Sequence, residues 1–169
     1  MKKFILIILV FVIVGCGATS GKSVQVKQSG FNNSKVVFIE PHGGKCSMTQ
    51  CLGLGAQWNS ENPERVFIIV NSFLEYVAIT GAKLSVDGEI VTLQQSQYTT
   101  TLTYELGLRN SAKAFSADFD IIPKMLKAEN IWLRMYTPNG YKEELIKSGT
   151  ETTKAYHALE RFAQNINRS

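Results

Sequence analysis

The chain has 169 residues, 44% of them apolar and 19% charged, with a formal charge of +4. That length suits one domain with a proper core plus an extension. Lys and Arg are scattered among Asp and Glu without a basic block, so nothing supports nucleic-acid binding, and the modest positive charge is no partner signal.

The chain opens on Met1-Lys2-Lys3 and an unbroken apolar run, Phe4 to Val14. The run fits the roughly 7–15 residues of a secretory signal core. It is short of the roughly 20 needed to span a bilayer as a helix. It ends in Ile13-Val14-Gly15-Cys16. There the sequence resembles the bacterial lipoprotein signal, whose lipobox ends in an aliphatic residue, a small or aliphatic residue, Gly or Ala, then Cys.

The resemblance implies a diacylglyceryl thioether on Cys16, cleavage between Gly15 and Cys16, and N-acylation of the freed amine. Two or three acyl chains anchor a protein stably, where one does not. Gly17 follows Cys16 in place of the Asp that marks inner-membrane retention. The expected address is therefore the cell envelope, at the outer membrane facing the periplasm if the host is Gram-negative. Residues 1–15 are then a removed signal and 16–34 a lipidated cysteine with its tether. Residues 35–169 are a single β-rich domain.

Gly17 to Ser34 is rich in Gly, Ser, Thr, Asn, Gln and Lys, a composition that behaves as a flexible spacer. Val24 and Val26 alternate with polar neighbours, which allows a short edge strand. Gly21-Lys22-Ser23 imitates a phosphate-binding loop, but the first glycine that pattern requires falls on Cys16. Val36 to Ile39 predicts a strand ending at Pro41, with His42-Gly43-Gly44 as a loop into Cys46 and Cys51. In an exported chain that pair reads as a disulfide. Adding His42 gives a second reading, a metal site with three ligands and no fourth at regular spacing. Leu52-Gly53-Leu54-Gly55 resembles a dinucleotide fingerprint only until Trp58, which stands where the third glycine belongs.

After a polar loop over 59–64, Val66 to Val70 predicts a central strand, and Tyr76 to Thr80 a short one. Asp87-Gly88 predicts a type I′ hairpin turn, pairing Leu84 with Val91 and Ala82 with Leu93. Tyr98, Leu102, Tyr104 and Leu106 alternate with polar residues, as do Phe115, Ala117, Phe119 and Ile121. Pro123 opens a short helix over 123–128. Ile131, Leu133 and Met135 form the inner side of a strand that Asn139-Gly140 turns back through Tyr141 to Ile146. Ser148 and Glu151 read as a capping box for a C-terminal amphipathic helix over 150–167, with Ala155, Leu159, Phe162 and Ile166 as its stripe. The expected fold is mostly β: an antiparallel, immunoglobulin-like sandwich with these two helices, the alternative being α+β with an antiparallel sheet.

Chemistry is sparse. His42 and His157 are the two histidines, and neither Gly-x-Ser-x-Gly nor His-Glu-x-x-His occurs. Asp118 and Asp120 share a strand face but read as solvated, as does Glu143-Glu144. His42 is the loop residue of interest. Trp132, Arg134 and Tyr136 lie opposite Ile131, Leu133 and Met135. They are core if the terminal helix covers them, and a binding surface of hot-spot composition if it does not. The expectation is a lipid-anchored, non-catalytic module that binds an envelope protein or cell-wall component, with no cofactor. The alternatives are a module for a small molecule, glycan, lipid or metal, and a hydrolase.

Overall fold

The computed structural model describes residues 22–105 and 107–167; the expected signal over 1–15, the expected lipidation site Cys16 and Leu106 lie outside them. Two antiparallel sheets face each other. The first begins with β1 (Gln25–Gln28), β2 (Lys35–Gly43), β3 (Cys51–Asn59) and β4 (Arg65–Phe73). The second begins with β5 (Gly81–Val86) and β6 (Glu89–Thr92). The chain returns to the first sheet through β7 (Gln94–Gln95), β8 (Thr101–Glu105) and β9 (Leu108–Asp118). After α1 (Ile121–Lys127) it completes the second with β10 (Asn130–Thr137), β11 (Gly140–Ser148) and β12 (Glu151–Thr152), then ends in α2 (Lys154–Asn167). The first sheet runs β1-β2-β3-β4-β9, with β7 and β8 both on the far edge of β9; the second runs β12-β11-β10-β5-β6.

The period of two sorts every central strand into an inner and an outer face. Val66, Ile68 and Val70 turn inward from β4, and Ile131, Leu133 and Met135 from β10, each at most 1% exposed. Ile122 and Met125 of α1 and Ala155, Leu159 and Phe162 of α2 join the same core. Helix α2 packs on β2, β3 and α1 and closes that side of the sandwich. Among the described residues no helix is long and apolar enough to cross a membrane.

The hairpin is as expected. Asp87 and Gly88 have φ of 50° and 88°, the left-handed pair that a type I′ turn needs, and Leu84 pairs with Val91. The Asp87 carboxylate also accepts from the Glu129 and Asn130 backbone N–H groups at 3.0 and 2.7 Å, which ties the turn to the start of β10. The edge strand that Val24 and Val26 allowed is β1, which begins after Val24, has each of its residues exposed and pairs with β2.

Five expectations need correction. Helix α1 opens at Ile121, which the alternation had placed in a strand, so Pro123 is its third residue and not its first. Strand β2 does not stop at Pro41 but runs to Gly43, with a register shift between Ile39 and His42. A bulge is where a strand tolerates a residue without an N–H. Leu52 to Gly55 belong to β3, an unforeseen strand between β2 and β4. Tyr76 to Thr80 is not a strand: Val77 and Ile79 donate their N–H groups to Ser111 Oγ (2.8 Å) and Thr100 Oγ1 (3.0 Å) instead of to a ladder. Ser148 and Glu151 do not cap α2, since both pair in the β11–β12 ladder. Thr153 is the cap: its hydroxyl donates to the Ile146 carbonyl at 2.7 Å and accepts from the Tyr156 N–H at 3.4 Å.

Candidate functional site

The structure separates the residues that sequence reading grouped near the cysteines. Cys46 and Cys51 form a disulfide with Cα atoms 4.3 Å apart. His42 is not in an exposed loop. It pairs with Leu54 in the ladder, which turns it to the inner face, and it is 6% exposed. Cys51 pairs with Phe73 on the outer face. With both sulfurs in the bridge and the imidazole across the sheet, His42, Cys46 and Cys51 do not form a ligand set. Nδ1 of His42 lies 2.7 Å from the Glu40 carbonyl, within the bulge, and Nε2 is buried without a partner among the described residues.

Trp132, Arg134 and Tyr136 are on the outer face of the second sheet, away from α2. Trp132 is 46% exposed, and Tyr141, which sequence reading used only as a strand residue, is 58% exposed. The register builds the cluster: Arg134 pairs with Glu143 and Tyr136 with Tyr141, so cross-strand neighbours meet on one face. Arg134 Nη2 reaches the Glu143 carboxylate at 2.6 Å, and its guanidinium stacks 4.5 Å from the Tyr141 ring centre. Lys83 Nζ from β5 lies 5.7 Å over the Tyr136 ring. Tyr136 and Glu143 beside the Arg134 guanidinium raise its pKa further, and the same hydrogen bond from Arg134 lowers the Tyr136 phenol below the usual tyrosine range. The result is a cluster of aromatic rings, Tyr136 and Tyr141 tilted 57° to each other, with cations against them, the composition enriched at interface hot spots.

One carboxylate departs from the solvated reading. Glu144 is 5% exposed. It turns inward at Leu133, and its Oε2 accepts from the Leu52 N–H at 3.1 Å. Burial pushes its carboxyl above the usual range, against hydrogen bonds from Leu52 and Leu145 that favour the charge. Asp118 and Asp120 are both exposed, as expected; β9 ends at Asp118, which pairs with Arg65, and Asp120 is the residue before α1.

One constellation escaped sequence reading because it is assembled by the start of α2. Thr152 Oγ1 lies 2.9 Å from His157 Nε2, and His157 Nδ1 lies 2.7 Å from Glu160 Oε2. Hydroxyl, imidazole and carboxylate follow the order of a hydrolase triad. The His157 and Glu160 side chains are 52% and 38% exposed, so water competes for both, and a low-dielectric surround that would strengthen the relay is missing. The contacts clip the first turn of the helix to β12.

No protein-family model, curated protein or solved structure matches the chain.

Proposed function

We propose that this chain is a lipid-anchored envelope protein with a non-catalytic role, whose sandwich presents the outer face of its second sheet to an envelope protein or cell-wall component. The observation that carries the binding reading is the outer-face cluster of exposed Trp132 and Tyr141 with half-buried Arg134 and Tyr136. A soluble domain gains little by holding four such side chains in register on a wet face, whereas Trp, Tyr and Arg dominate binding energy where partners meet. The address rests on the lipobox resemblance at Ile13-Val14-Gly15-Cys16, with 16–34 read as the tether, although Gln25–Gln28 within it pair with β2.

The test is photo-crosslinking in cells from a reactive group placed at Tyr141. The expected result is a reproducible adduct that Trp132→Ala or Arg134→Ala reduces about 30-fold, the scale of losing a ~2 kcal/mol hot spot. The same adduct formed equally well from Gln25, on the edge of the other sheet, would contradict the reading.

A further inference from the structure

The geometry points to a second site, a trough on the outer face of the first sheet that binds a neutral oligosaccharide. Two adjoining hollows of about 300 and 270 Å³ share Ile69, Thr101 and Ala112. They follow β4 from Phe67 to Phe73, a length of about 20 Å at strand rise. The floor is low because Ala112 and Ala114 face outward from β9. Aromatic rings stand at both ends, with Phe67 and Tyr98 at one (centroids 5.7 Å apart, edge to face) and Phe38 and Phe73 at the other.

Two amides sit in this apolar trough. Asn71 is 4% exposed. Asn110 Oδ1 is fully buried and has no hydrogen-bond partner among the described residues. Asn71 pairs with Ala112 and Phe73 with Asn110, so the amides are diagonal neighbours about 7 Å apart. A buried acceptor without a donor is unfavourable in the free protein, and turning the half-buried Asn110 amide toward a ligand hydroxyl would relieve it.

The occupant follows from what the trough offers. Its floor carries no charge, and at the rim Lys22 is shared by Glu40 and Glu105, so an anionic ligand finds no free cation. Aromatic walls ask for apolar ring faces. Side-chain amides, each with donors and an acceptor side by side, together with the Thr101 and Thr103 hydroxyls, ask for a ligand dense in hydroxyls. A sugar chain has both. An extended peptide would instead seek a sheet edge, where main-chain groups are free; on this face the ladder has used them. An acyl chain would leave the amides unpaired.

The site is independent of the Trp132 face, and calorimetry on the full chain in lipid nanodiscs tests it. The probes are cellotetraose, tetra-N-acetylchitotetraose and an extended apolar hexapeptide. Binding of at least one saccharide is expected, about tenfold weaker in Asn110→Ala, abolished in Ala112→Leu by filling the floor, and unchanged in Trp132→Ala. No binding of either saccharide at millimolar concentration would overturn the proposal. So would unaltered affinity in Ala112→Leu, or displacement from the trough by the hexapeptide alone.

Discussion

The same substitution at two strand glycines should change stability in opposite directions. In β3, a Cβ on Gly55 would lie 2.6 Å from the Ile39 carbonyl oxygen and 2.7 Å from the Pro41 nitrogen. Both are backbone atoms of the β2 bulge, so no side chain can swing aside. In β5, a Cβ on Gly81 would meet only the Tyr136 ring, at 3.6 Å, an ordinary contact. Alanine removes about 0.5–1 kcal/mol of glycine's entropic penalty at either place. At Gly81 that gain stands alone, so Gly81→Ala should be neutral or stabilising by up to ~1 kcal/mol. At Gly55 it opposes overpacking of about 1–3 kcal/mol, with the bulge backbone forced to move, so Gly55→Ala should lose about 1–2 kcal/mol. For a domain of this size that is a fall in Tm of several degrees. Urea unfolding with both variants under identical conditions reads the difference directly. A Gly55→Ala protein as stable as the parent would refute the close approach of β2 and β3 at the bulge, and with it the placement of His42 on the inner face.

Two other expectations concern ionisable groups. Glu144 has its folded carboxyl raised by burial, so its contribution is fully present below the ordinary carboxylate pKa and is lost as pH rises through the raised folded value. Glu144→Gln keeps an acceptor for the Leu52 N–H and cannot ionise. Its Tm should therefore exceed the parent's near pH 7 and converge with it toward pH 4; a Tm lower than the parent's throughout would sink the assignment. The Thr152–His157–Glu160 line should be structural. Thr152→Ala should cost about 0.5–1 kcal/mol, the scale of one hydrogen bond, and leave hydrolysis of p-nitrophenyl acetate at the rate of the parent. A Thr152-dependent acyl-enzyme burst would make the protein a hydrolase.

What was legible in the sequence was local. Asp87-Gly88 carries its own turn chemistry, so the hairpin could be read to its register. The alternation of Ile131, Leu133 and Met135 placed the inner and outer faces of β10, and Ala155, Leu159 and Phe162 marked the buried side of α2. What was hidden depends on distant partners. Gly53 and Gly55 weaken the strand signal of β3, yet they are there because Ile39 and His42 carbonyls pass within van der Waals reach of where a Cβ would stand. Pro41 looked like a stop because the bulge that accommodates it forms only against β3. Tyr76 to Thr80 has strand composition, but hydroxyls from Ser111 and Thr100 take its N–H groups. The Ser148 and Glu151 pattern lost to Thr153 because β11 and β12 use the backbone first. Whether Trp132 and Arg134 were core or surface turned on which sheet α2 covers, and periodicity within β10 is the same either way. The trough amides carried no signal, since Asn71 and Asn110 are ordinary polar positions until two strands pair.

The proposal that matters most is the anchored address, and intact mass of the membrane-extracted protein tests it most directly, with and without reduction and alkylation. The account predicts a chain beginning at Cys16 with two or three acyl chains, and two thiols, from Cys46 and Cys51, that appear only after reduction. A chain that retains residues 1–15, or one without acyl mass, would contradict it.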